Sequence, residues 1–306
     1  QAILGRAVVA LVLVLVILLL PDGIVPTLRR RWRSGAGATV TPLAAASLTL
    51  PSPPTGEGGV AGGVARALEC HDVWKAFGGI QALQGVSLAV GPGEIVGLVG
   101  PNGSGKTTLI NVISGHYAAD RGRVTLGDRT LTGHPAHAIA GLGVSRTYQI
   151  PRPYAHLSVR DNVAVAAMFG GARHGAAEAR DAALRWLDFT GLARRAHELP
   201  EALNLHERKF LELARALAAE PRVILLDEVL SGLNPTEISS AVRLVRDIRA
   251  SGVSIVFVDH LMRAVLELAD RVVVLNEGEV IAAGRPRDAM ADARVIEVYL
   301  GRSHAA

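Results

Sequence analysis

Eight consecutive residues, Gly100-Pro101-Asn102-Gly103-Ser104-Gly105-Lys106-Thr107, fit the pattern G-x-x-x-x-G-K-[ST]. Residue types at this spacing suit one task. Glycines let backbone N–H groups curl around phosphate oxygens, the lysine neutralises their charge, and the last hydroxyl is left for a divalent cation. The expected phosphate-binding residues are Gly100, Asn102, Gly103, Ser104, Gly105, Lys106, Thr107 and the adjoining Thr108. Before the loop, the run EIVGLV at 94–99 predicts a buried strand; after it, TTLINVISG predicts a helix whose positive end faces the phosphates.

A second pair able to do chemistry is Asp227-Glu228, at the end of the apolar run RVILL. With the glycine loop upstream, Asp227 suits a magnesium-side ligand, and Glu228, pointing to the opposite side of the chain, suits the group that polarises an attacking water. A third apolar run, VSIVFV at 253–258, leads into Asp259-His260. Short apolar strands alternating with amphipathic helical patterns from residue 67 onward predict an α/β fold with a largely parallel sheet. In such sheets ligands gather at the carboxyl ends of strands, where all three runs place their polar residues.

The chain has 306 residues and is 49% hydrophobic, enough for a large packed core and too apolar for a disordered one. The lone cysteine, Cys70, has no disulfide partner and no zinc-binding spacing around it, which suits a reducing compartment and a buried apolar role. Six arginines against Asp22 and Glu57 put the whole net charge of +4 within residues 1–66. The remainder is neutral, which argues against a nucleic-acid-binding face.

Within that basic segment, residues 7–20 are uncharged and apolar, followed by PDG and the run Arg29-Arg30-Arg31-Trp32-Arg33. Arginines after the apolar run are the wrong way round for a signal peptide and suit a cytoplasmic flank with an interfacial tryptophan. Residues 1–33 are therefore expected to be the last transmembrane helix of a membrane domain, with a surface anchor or an artefact of the gene start as alternatives. Residues 34–66, rich in Gly, Ala, Ser, Thr and Pro, are expected to be a linker with a reach of roughly 30 Å. His134 and His137 are expected in a surface loop, and the pair Arg194-Arg195 and Arg173 with Arg180 on solvated helix faces. Leu184 and Leu187 are expected in the core of a helical subdomain.

From residue 67 to 303 the order of these motifs resembles the ATP-binding cassette (ABC) transporter ATPases. The resemblance implies a P-loop NTPase fold with a mostly parallel core sheet, an antiparallel β subdomain and an α-helical subdomain. It implies ATP as substrate and Mg²⁺ as cofactor. It also adds roles that spacing alone does not supply. Phe77, in KAFGG, would stack on adenine, with a core aromatic as the competing reading. Gln149, in SRTYQ, would contact Mg²⁺ and the attacking water, and His260 would touch the γ-phosphate. Residues 231–234, SGLN, resemble the D-loop.

At 203–207 the chain reads LNLHE where most members read LSGGQ. Asn204 can still donate a hydrogen bond to a nucleotide on an opposing subunit, whereas His206 brings bulk in place of a glycine. Val229 stands where proline usually follows the glutamate.

FGGIQALQGVSL, GVSRTYQIPRPYAHLSVRDNV, SGLNPTE and VIEVYLG are similar to the ATPase subunits of branched-chain amino acid importers. The stretch PDGIVPTLRRRWR is similar to the carboxyl end of a permease subunit of those systems. The resemblance implies a permease-ATPase fusion at the inner membrane, its ATPase on the cytoplasmic face. The implied partners are a second ABC ATPase subunit, identical or different, permease subunits and a periplasmic substrate-binding protein. Urea or short amides are the alternative cargo, and a non-transport ABC ATPase is the remaining alternative.

Overall fold

The computed structural model describes residues 67–171 and 173–300. β1 (Leu68–Phe77) and β2 (Ile80–Val90) form a hairpin, and β3 (Ile95–Val99) leads into α1 (Lys106–Ile113). β4 (Arg121–Leu126), β5 (Arg129–Thr130) and α2 (Ala136–Gly141) precede the short β6 (Val144–Arg146). Three helices follow: α3 (Val159–Phe169), α4 (Ala176–Phe189) and α5 (Leu205–Ala218). The chain then alternates through β7 (Val223–Asp227), α6 (Pro235–Ala250), β8 (Ser254–Val258), α7 (Met262–Leu268) and β9 (Arg271–Asn276). It continues with β10 (Glu279–Gly284), α8 (Pro286–Met290) and α9 (Ala293–Leu300).

The smaller sheet has the order β2-β1-β4-β5 with antiparallel pairs. The larger runs β10-β9-β3-β8-β7-β6; its pairs from β9 to β6 are parallel, and β10 closes it antiparallel to β9. The three apolar runs expected as strands are thus β3, β8 and β7, immediate neighbours at the centre. Every residue of these three strands is buried. Their side chains divide with period two. Val96, Leu98, Val223, Leu225, Val256 and Val258 pack with α1 and the small sheet. Ile95, Val99, Ile224, Leu226, Ile255 and Phe257 pack with the helices of the other face. A sheet covered on both faces needs continuous apolar strands, which is why these segments read as unbroken runs. At about 1.5–3 kcal/mol per buried side chain, this layer dominates what orders the site above it.

Helix starts are marked locally. Ser158 caps α3 by accepting from the Asp161 N–H. Asn204 and Glu207 exchange hydrogen bonds across the first turn of α5, and Asn234 and Glu237 do the same for α6, with Pro235 at its first position. The segment at 203–207 is therefore largely the first turn of α5.

Several expectations change in detail. Leu187 is fully buried, but Leu184 is exposed, on the outer side of α4. Arg195 is not simply solvated; it pairs with Glu198 and with Glu207 of α5. His134 and His137 are both exposed, but His137 stands on α2 rather than in a loop. Cys70 is buried, and burial pushes its thiol up to about 12, too high for thiolate chemistry. The helix expected within 1–33 and the linker at 34–66 lie outside the described residues. Among the described residues no helix is long and apolar enough to cross a membrane.

Candidate functional site

Four adjacent parallel strands, β3, β8, β7 and β6, deliver the groups singled out in the sequence. Beyond their carboxyl ends lie, in turn, the glycine loop, Asp259-His260, Asp227-Glu228 and Thr147 to Gln149. In the glycine loop two positions exclude any side chain. A Cβ on Gly100 (φ 148°) would lie 2.1 Å from the Leu275 carbonyl oxygen, and one on Gly105 (φ 104°) 2.6 Å from that of Ala82.

The loop offers donors without acceptors. Helix α1 starts with no side-chain cap and no acidic residue in its first turn, so its leading N–H groups have no intrahelical partner. The Ser104 hydroxyl is buried with no hydrogen-bond partner. Both features fit a phosphate. Lys106 Nζ donates to the carbonyls of Gly100 and Pro101, each at 2.8 Å, and is folded over the loop. Burial lowers the Lys106 ammonium from its usual range, against the pull of Glu228 and Asp227. Phe77 is 42% exposed, meets Tyr117 edge-on at 5.1 Å and has Lys75 Nζ 5.3 Å from its ring centroid, so the core reading of this aromatic fails.

Asp227 and Glu228 face different environments. Asp227 is buried beside Arg146 at 3.5 Å, its backbone N–H donating to Thr147 Oγ1. Burial pushes its carboxyl up, while Arg146 and Lys106 pull it back down. Glu228 turns the other way in a left-handed conformation (φ 52°). One of its carboxylate oxygens accepts from Gln149 Nε2 at 2.6 Å, and the other lies 2.9 Å from His260 Nε2. Gln149, Glu228 and His260 are thus one hydrogen-bonded cluster, with His260 on its exposed side.

The oxygens available near this cluster suit Mg²⁺, which takes one or two protein oxygens together with phosphate and water. Thr107 supplies an exposed hydroxyl and Asp227 a carboxylate. Among the described residues no three His, Cys, Asp or Glu side chains gather into a cage. An Mg²⁺ of this kind does not need one.

Asn204 and His206 stand apart from this cluster. Asn204 is committed to the cap of α5, where its side chain accepts from the Glu207 N–H. His206 packs on Phe210 at 4.2 Å, its Nε2 buried without a partner. Leu205, between them, is 52% exposed and lies against Gly232 of the 231–234 turn.

Two residues of the site escaped sequence reading. Arg146 bridges Asn111, Ser114 and Asp227 and stacks on Tyr148 at 4.6 Å. Its signal was one arginine in a three-residue strand, too short to show a period. Lys209 reaches the backbone just after Glu228. Its position on α5, six residues after Leu203, gave no hint of that.

Because Arg146 is the counter-ion of a buried carboxylate, Arg146→Met should cost the nucleotide-free chain about 3 kcal/mol, read from denaturant unfolding. Saturating Mg·ATP should return part of that loss. A cost below about 1 kcal/mol would show that Asp227 does not depend on this partner.

Residues 83–231 match the family described as "ABC transporter", and residues 279–305 the family described as "Branched-chain amino acid ATP-binding cassette transporter". The chain is 36% identical to the high-affinity branched-chain amino acid transport ATP-binding protein LivG of Salmonella typhimurium over 250 residues, 77% of this chain and 98% of that protein. Over 249 residues it is 35% identical to the lipopolysaccharide export system ATP-binding protein LptB of Acidithiobacillus ferridurans, covering 76% of this chain and 96% of that one. A crystal structure of the ADP conformation of an ATP-binding cassette of an ABC transporter superposes with TM-score 0.69 at 29% identity, over 77% of this chain and 99% of that one. A dimeric cassette in a post-hydrolysis state bound to ADP and Pi gives 0.66 at 26% identity, over 72% and 99%. With its glycine loop, its cluster around Glu228 and this similarity along nearly the full length of its relatives, the chain belongs to the ABC transporter family of ATP-binding proteins.

Proposed function

We propose that this chain is the ATPase of an importer for branched-chain amino acids, and that its site works with the residues grouped around Glu228. The carrying observation is the junction of Gln149, Glu228 and His260 at the ends of β6, β7 and β8, beside a phosphate-binding loop on β3. Residues 100–108 hold the ATP phosphates, and Phe77 receives the adenine. Thr107, Asp227 and Gln149 would hold Mg²⁺, which would supply positive charge against the phosphates. Glu228 takes the proton of the attacking water, Gln149 orients that water, and His260 turns from Glu228 toward the γ-phosphate.

A second cassette, identical or different, closes on this one; residues 203–207, with Asn204 and His206, face the nucleotide of that partner. Closure and release drive the permease subunits between two states, for a substrate delivered by a periplasmic binding protein. The apolar and then arginine-rich composition of residues 1–33 supports attachment to the inner membrane, with the cassette at 67–303 on its cytoplasmic face.

Export of another cargo is favoured by one observation, the 35% identity to a lipopolysaccharide export ATPase. The carboxyl-terminal match to the branched-chain group supports import instead. Uptake of labelled leucine by cells lacking this chain decides between them. We expect a loss of at least tenfold, restored by the chain; unchanged uptake removes the amino acid cargo and leaves the ATPase standing.

A further inference from the structure

Lys209 is a charged residue on a helix interior, and its use is specific. Its side chain runs from α5 to the turn after β7, with 8% of the residue exposed. Its Nζ donates to the carbonyl of Glu228 at 2.9 Å and to those of Val229 and Ser231. An ammonium has three protons, and three carbonyls of one turn take them.

The same turn is held from its other side by β8 and the residue after it. The Glu228 N–H donates to the Val258 carbonyl at 2.8 Å, and Asp259 accepts from the Leu230 N–H at 3.0 Å. Between these anchors Glu228 adopts a left-handed conformation that a non-glycine residue holds only when its surroundings impose it. A purely structural filler at position 209 would be better served by an apolar side chain, because burying an ammonium is costly. What the lysine adds is a directed grip on the backbone that aims the Glu228 carboxylate.

We infer that Lys209 is a positioning residue for the hydrolytic step, pinning the 228–231 backbone so that Glu228 stays aimed at the attacking water. This rests on the reading of Glu228 given above. The grip comes from the helix whose first turn is the 203–207 segment, so a displacement of α5 is carried to the carboxylate through one side chain. Sequence alone could not reveal this link, because it joins a helix interior to main-chain oxygens and leaves no pair of side chains to notice.

The test uses the assembled transporter with Lys209→Met, Lys209→Arg, Glu228→Gln and the double variant Lys209→Met with Glu228→Gln. Lys209→Met should lower kcat about thirtyfold with KM for ATP within about twofold, the split that a misaimed carboxylate gives. Lys209→Arg, which again offers donors to the carbonyls, should recover about tenfold of the loss. In single-turnover assays the double variant should be no slower than Glu228→Gln alone, because Lys209 acts through that residue.

A Lys209→Met enzyme within twofold of wild type overturns the inference. So does a loss of kcat matched by a rise in KM with no recovery in Lys209→Arg, the mark of general damage. A double variant thirtyfold slower than Glu228→Gln would show that Lys209 acts elsewhere. Wild-type turnover by Glu228→Gln is a separate result: it removes the reading of Glu228 as the base, and this inference with it.

Discussion

Glu228→Gln is expected to lower ATP turnover about a thousandfold while ATP still binds, and to accumulate a closed, nucleotide-bound pair of cassettes. The substitution is nearly isosteric and keeps an oxygen for the Gln149 amide at 2.6 Å. What it removes is a basic oxygen at the position where a water proton must go. Removing a well-placed general base costs about two to four orders of magnitude, so the expected loss sits within that range. Phosphate release per turnover, measured beside binding of a fluorescent ATP analogue, separates the two effects. Turnover above a tenth of wild type would mean that the base lies elsewhere, with the adjoining Asp227 the carboxylate to suspect.

Lys106→Met is expected to have the next largest effect, by another route. Here nucleotide binding itself should weaken by about a hundredfold or more, and hydrolysis should fall with it, because the removed charge faces the phosphates in ground and transition state alike. Lys106 is buried and bound to two carbonyls of its own loop, so the ammonium is already desolvated and can pass to a phosphate oxygen at little further cost. Glu228 and Asp227 sustain its charge against burial. A methionine of similar length keeps the packing, and the melting temperature without nucleotide provides the control. Unchanged ATP affinity would show that the helix terminus and glycine loop suffice to hold the phosphates.

These two residues were legible in the sequence because each lies in a short pattern with its own chemistry. Lys106 follows an apolar strand and three glycines, and Glu228 ends a run too apolar for a surface. The three central strands were legible for the same reason, since burial on both faces removes the polar alternation that blurs a strand's limits. What stayed hidden depends on contacts between distant segments. β6 is three residues long, yet it brings Arg146 against Asp227 and Thr147 against its backbone. The commitment of Asn204 to a cap is a local event that S/T/N-x-x-E patterns announce, but family resemblance drew attention to another role. Leu184 shows the limit of periodicity: a leucine three residues from a buried one on the same helix remains exposed.

The site is assembled from the far ends of four strands separated by long stretches of chain, from Lys106 to His260. Such a site has high contact order and no local precursor. A chain with the glycine loop folded and β8 still unpaired would lack Glu228's backbone anchor at Val258 and the histidine beside it. ATP therefore discriminates between complete and incomplete folds, and at cellular excess it shifts the equilibrium toward the complete one by mass action. The substrate of this cassette is, by that route, also a ligand that favours its finished fold.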